Sequence, residues 1–232
     1  MAIVSHVLDL LYPPRCLSCH SAQDWWCEEC RKAVETLPQD PCARCLSLDH
    51  AAVACDGVLP FSGVVATGFY HSPPLRRLVG SLKYDGVTVS SDAVECYLQD
   101  VVSRRAVPLP WEGETSVLIH PMPLASGRER TRGFNQAAWL AERFLNAWKL
   151  RGEMSDLLIR ARGSMAQADL EHDAGLRQAN VRDQFRAIGR IERPVLLVDD
   201  VVTTGSTAAE AARALLQAGA PRVYLLAIAV GR

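Results

Sequence analysis

Two stretches near the C-terminal end, VLLV at 195–198 and VYLLAIAV at 223–230, are rich in β-formers and have no polar face. Successive side chains of a strand point to opposite sides of the sheet, so a strand apolar on both sides has to be covered on both sides. Between the two runs lies TAAEAARALLQAG, in which Ala211, Ala212, Leu215 and Leu216 share one helical face before Gly219 stops the turn. Thr207-x-x-Glu210 ahead of that face reads as a capping box. Strand and helix alternate from residue 115 to the end, which predicts an α/β fold: a mostly parallel sheet flanked by helices.

The rest of the chain is read the same way. GVVATGFYH (63–71) is a strand, and PPLRRLVGSLKYDG carries Leu75, Leu78, Val79 and Leu82 at helical spacing. A second helix spans about 88–105, followed by the proline-rich break VPLPWEGE. TSVLIHPMPL (115–124) is a strand running into the polar loop ASGRERTRG. FNQAAWLAERFLNAW then forms an amphipathic helix with Ala137, Leu140, Ala141, Phe144, Leu145 and Trp148 on one face. DLLIR (156–160) is a candidate strand, and the Arg-rich segment from 160 to 185 takes no assignment.

Seven of the eight cysteines fall between residues 16 and 55. Cys16-x2-Cys19-x7-Cys27-x2-Cys30 supplies two CxxC turns, whose four thiolates can close a tetrahedron around zinc. Such a site is structural and lends folding energy to a segment with little core of its own; disulfide or redox chemistry is the alternative. Cys42-x2-Cys45-x9-Cys55 is a second set lacking a fourth cysteine, since Val58 stands where one would complete it. Asp49, His50 or Asp56 could substitute, or the site could be degenerate; one zinc per chain is the expectation. Residues 1–58 are thus read as an N-terminal helix and zinc module, and 59–232 as the α/β domain. Trp25 and Trp26 would cover the small metal module.

A formal net charge of −1 gives no global case for nucleic acid or membrane binding. Basic residues do gather between Arg128 and Arg193, 13 against 9 acidic ones. No apolar run reaches the roughly 20 residues of a membrane span. MAIVSHVLDLLYPP makes a poor signal peptide, with Asp9 inside its apolar stretch, and a better amphipathic helix. A cytoplasmic location is expected.

Folding alone does not ask for Asp199 and Asp200 at the end of a buried run. In parallel sheets ligands bind beyond the carboxyl ends of the strands, and a helix N-terminus there favours phosphate. Gly205 lets a backbone come close, while Thr203, Thr204, Ser206 and Thr207 add hydroxyls. The two carboxylates would repel that phosphate but suit sugar hydroxyls or Mg²⁺ beside it. A sugar phosphate with a metal is the natural ligand. Neither GxxxxGK[ST] nor a GxGxxG after a strand is present.

VLLVDDVVTTGST (195–207) resembles the phosphoribosyl pyrophosphate (PRPP) motif of type I phosphoribosyltransferases. The resemblance implies that fold, with Asp199 and Asp200 on the ribose hydroxyls, often with Mg²⁺, and Val201 to Thr207 around the 5′-phosphate. It also implies a pyrophosphate-gripping loop at Arg128, Arg130 and Arg132, and Asp200 is the candidate proton acceptor. LKYDG, RTRGFNQA, RARGSMAQ and LRQANVRDQF follow the cysteines in an order similar to the ComF/GntX family of competence-associated, phosphoribosyltransferase-like proteins. Val58 and Ser164 depart from that pattern, which carries cysteine and threonine there. Two functions follow from the resemblance. One is a transferase moving phosphoribose onto an unknown acceptor; the other is a PRPP-binding module without turnover in DNA uptake. The candidate partners are PRPP, single-stranded DNA, competence proteins and a second copy of the chain.

Overall fold

The computed structural model describes residues 14–22, 24–49, 55–84, 87–105, 107–124, 134–160 and 184–231. In chain order the elements are α1 (Glu28–Lys32), β1 (Gly63–Ala66), α2 (Pro73–Tyr84), α3 (Val87–Arg104), β2 (Val117–Pro121), α4 (Gln136–Trp148), β3 (Gly152–Met154), β4 (Leu158–Arg160), β5 (Phe185–Ala187), β6 (Val195–Val202), α5 (Ser206–Gln217) and β7 (Val223–Val230). The N-terminal helix expected before Pro13 lies outside the described residues.

Five strands form one sheet in the order β1-β7-β6-β2-β3, and every neighbouring pair is parallel. The two apolar runs are central neighbours, with Leu197 opposite Leu225. Alternation splits residues 223–228 of β7 between two cores. Tyr224, Leu226 and Ile228 join α2, α3 and α4 on one face, while Val223, Leu225 and Ala227 join α5 on the other. This is the expected helix-flanked α/β architecture.

Three features depart from the sequence reading. The edge strand β3 was not anticipated, because its side chains are all exposed and carry no apolar period. It fits against β2 because a Cβ on Gly152 would sit 2.5 Å from Ile119 Cδ1. The strand at DLLIR does not join the main sheet; β4 pairs antiparallel with β5 instead. Trp26 reaches beyond the cysteine module. It is buried in the α/β core, edge-on to Tyr97 with ring centroids 6.4 Å apart, and so ties the module to α3.

Candidate functional site

The cysteine module consists of two turns with one backbone plan. In the first, the amide of His20 donates to the Cys16 carbonyl and that of Cys16 to the Ser21 carbonyl, both at 2.8 Å. In the second, Leu46 donates to Cys42 and Cys42 to Ser47, again both at 2.8 Å. His20 and Leu46 occupy the same left-handed position, each with φ of 64°. The thiols of Cys16, Cys19, Cys27 and Cys30 all lie within 4.8 Å of one another, as do those of Cys42, Cys45 and Cys55. Four sulfurs about 2.3 Å from a zinc ion sit about 3.8 Å apart, so the first set fits zinc, and Cys19 and Cys27 are already at 3.6 Å.

Hydrogen bonds from the Ser21 hydroxyl and amide bring the Cys19 thiol down to about 6. Burial pushes Cys30 up to about 12. The second set is three thiols. Among the described residues neither Asp49 nor Asp56 joins it, and Val58 is 81% exposed; His50 lies outside the described residues. Amides of Ser47 and Gly57 donate to the sulfurs of Cys45 and Cys55 at 3.4 and 3.2 Å.

At the carboxyl ends of β2 and β6 lies a cleft of about 440 Å³. All of Asp199 to Ala208 lines it, so the two acids and the hydroxyl-rich turn do share one cavity. Strand β6 runs further than expected: Val201 and Val202 still pair with Ala229 and Val230, leaving Thr203, Thr204 and Gly205 as the connecting turn. Asp199 Oδ1 accepts from the Asp200 amide at 2.8 Å, and Asp200 Oδ1 from the Val201 amide at 2.7 Å, which folds both carboxylates along the strand end.

The capping box is not formed. Gly205, with φ of 72°, is the N-cap and has no side chain to cap with, so the helix starts one residue before Thr207. Glu210 pairs with Arg213 at 3.3 Å. Thr204 Oγ1 and Ser206 Oγ are linked at 2.7 Å. The first-turn amides, which no carbonyl of the helix itself can satisfy, belong to residues lining the cleft.

A second helix start faces the same space. The Asn135 side chain accepts from the Ala137 amide at 2.9 Å and donates to the Met122 carbonyl at 3.1 Å, fixing α4 to the end of β2. This puts Gln136 and Ala137 on the cleft wall. Arg160 also lines it; its guanidinium donates to Gln184 at 2.9 Å and lies 5.3 Å from the centre of the Phe185 ring. Tyr70, Met122, Pro123 and Leu124 complete the apolar side. Of these, Tyr70 and Met122 gave no sequence signal, since each reads as an ordinary residue of a strand segment. Arg128, Arg130 and Arg132 lie outside the described residues, but Leu124 and Gln136, on either side of that loop, both line the cleft.

Comparison with known proteins bears on this arrangement. A double zinc ribbon domain model matches residues 7–58. The DNA utilization protein YhgH of Salmonella typhi is 34% identical over 93% of this chain and 96% of its own. The chain belongs to the ComF/GntX family. This ComF/GntX protein is also similar to Competence protein F of Haemophilus influenzae, 28% identical over 93% of this chain and 96% of that one. A solved structure, that of the allosteric regulatory enzyme of purine biosynthesis, overlaps 59% of this chain and 26% of its own at 20% identity, with a TM-score of 0.32. The zinc ribbon gives the ComF/GntX cysteines a structural role, because four thiolates leave zinc no position for substrate. Among the described residues, no helix is long and apolar enough to cross a membrane.

Proposed function

We propose that the cleft binds Mg-PRPP and that the chain is a phosphoribosyltransferase-like protein of DNA utilization. The observation that carries this reading is the joint lining of one cleft by the acid pair and by the starts of α5 and α4. A phosphate suits the Thr203–Thr207 turn, where helix amides and hydroxyls offer donors. Asp199 and Asp200 suit the ribose hydroxyls and would hold a Mg²⁺ ion beside them. Arg160 and the Arg128, Arg130 and Arg132 loop would hold the diphosphate, for which arginine forks are well matched.

Transfer would be displacement at the ribose anomeric carbon: an acceptor nitrogen bonds to that carbon as its bond to the pyrophosphate oxygen breaks. Pyrophosphate leaves with the bonding electrons, and the acceptor's proton passes to Asp200. Mg²⁺ would supply neutralisation of the departing charge.

Isothermal titration with PRPP and Mg²⁺ tests the binding step. Wild-type protein should bind, and the Asp199→Ala, Asp200→Ala double variant should not; equal heats from the two would refute the reading. Pyrophosphate release in the presence of a panel of bases then separates transfer from binding alone. The relatives' names, DNA utilization protein and Competence protein F, favour a second reading in which PRPP is bound without turnover while the protein acts with single-stranded DNA. Binding without pyrophosphate release supports that alternative.

A further inference from the structure

The second cysteine turn reaches the cleft from behind. Leu46, the residue directly after Cys45, is 7% exposed and belongs to the core under α5 rather than to the ribbon. A Cβ on Gly205 would fall 2.8 Å from Leu46 Cδ1 and 3.5 Å from Leu59 Cδ1. Leu46 and Leu59 therefore form the floor beneath the turn that the proposed phosphate would occupy. The two leucines come from the two arms of the turn closed by Cys42, Cys45 and Cys55, and the Leu59 amide donates to the Arg44 carbonyl at 3.0 Å. Gly57 lies so tightly on Arg44 that a Cβ there would sit 2.2 Å from its carbonyl oxygen.

The first turn supplies an internal control. It has the same backbone, yet His20 at the equivalent left-handed position is exposed and faces Arg77. A left-handed conformation is strained for any residue that carries a side chain. At Leu46 that strain accompanies a buried contact with Gly205; at His20 it accompanies none with the cleft.

We propose that the second cysteine turn is a metal-set brace of the 203–207 turn: metal held by Cys42, Cys45 and Cys55 presses Leu46 against Gly205, and this fixes the backbone for anion binding. Leu46 is a positioning residue and touches no ligand. The affinity consequence rests on the PRPP reading above, whereas the bracing itself does not.

Two measurements separate the two. Amide hydrogen exchange of peptides covering 203–209 is compared in zinc-loaded wild type, Leu46→Ala and Cys45→Ser, with zinc content determined for each. Leu46→Ala keeps every metal ligand, and so guards against a Cys45→Ser variant that merely unfolds the ribbon. Both variants should exchange at least about tenfold faster there, and in Leu46→Ala the acceleration at 203–209 should exceed that of the β7 core, with zinc content equal to wild type. Titration with Mg-PRPP should then show about a tenfold weaker affinity for Leu46→Ala. Unchanged exchange at 203–209 in Leu46→Ala would overturn the brace. Faster exchange in the variant, with no PRPP binding by the wild type, would uphold the brace and overturn the ligand.

Discussion

Gly205→Ala tests the geometry of the cleft most directly, because two separable costs meet at one methyl group. The first is conformational: at φ of 72° a Cβ crowds its own carbonyl, at about 1–2 kcal/mol. The second is steric: the new Cβ would lie 2.8 Å from Leu46 Cδ1, and forcing a methyl into a packed site costs about 1–3 kcal/mol. Together they predict a loss of about 2–5 kcal/mol, or a fall in Tm of roughly 4–20 °C for a chain of this size. The two costs are parted by repeating the substitution in a Leu46→Ala background. Leu46→Ala alone should cost about 2–5 kcal/mol as a buried leucine, but it opens the space the new methyl needs. Gly205→Ala on top of it should then cost only the conformational part, about 1–2 kcal/mol, so the pair is non-additive. Denaturant unfolding of the wild type, both single variants and the double variant, followed by circular dichroism, gives all four values. An equal cost of Gly205→Ala in both backgrounds would show that Leu46 does not lie on the turn. A neutral Gly205→Ala would show that residue 205 is not left-handed.

Three other expectations follow from charges and packing. Arg222, followed by Tyr224, donates hydrogen bonds to the Glu114 carboxylate and lowers its pKa. The stability this confers is present above the ordinary carboxylate range and is lost as pH falls through the lowered folded value. Glu114→Gln should therefore lower the melting temperature at pH 7 and leave it near wild type at pH 2; a deficit equal at both would refute the ionic origin. Zinc loading of the first set should tighten with rising pH and release protons, since Cys19 lies near 6 while Cys30 lies near 12 and must give up its proton to the metal. Calorimetry in buffers of different ionisation enthalpy reads that release, and a pH-independent affinity would contradict it. Trp26→Ala should destabilise the chain by about 3–5 kcal/mol and expose the cysteine segment to limited proteolysis before the sheet unfolds; simultaneous loss of both would show that Trp26 does not dock the module.

Much of this was legible because it is local. The apolar period of residues 195–198 and 223–230 demanded central strands, and the helix between them could only cover a face. The CxxC spacing gathered the thiols, and the acid pair marked the cleft end of β6. The capping box was legible too, yet its pattern misplaced the helix start. Thr207 and Glu210 have the right spacing, but the left-handed Gly205 begins the helix earlier and Glu210 turns to Arg213.

What only the tertiary structure decided are contacts between residues far apart in sequence, each with an unremarkable local pattern. Leu46 reads as the residue after a cysteine turn, and its place under Gly205 depends on how the ribbon docks. Tyr70 and Met122 come from separate segments just past β1 and β2 and meet only because parallel strands deliver their carboxyl ends to one edge. Strand β3 exists because β2 offers it an edge and Gly152 fits there, although its own residues carry no strand signal. Periodicity and spacing are written within a segment and survive without the fold; a cleft and its floor are relations between segments, set only when the sheet closes the distance.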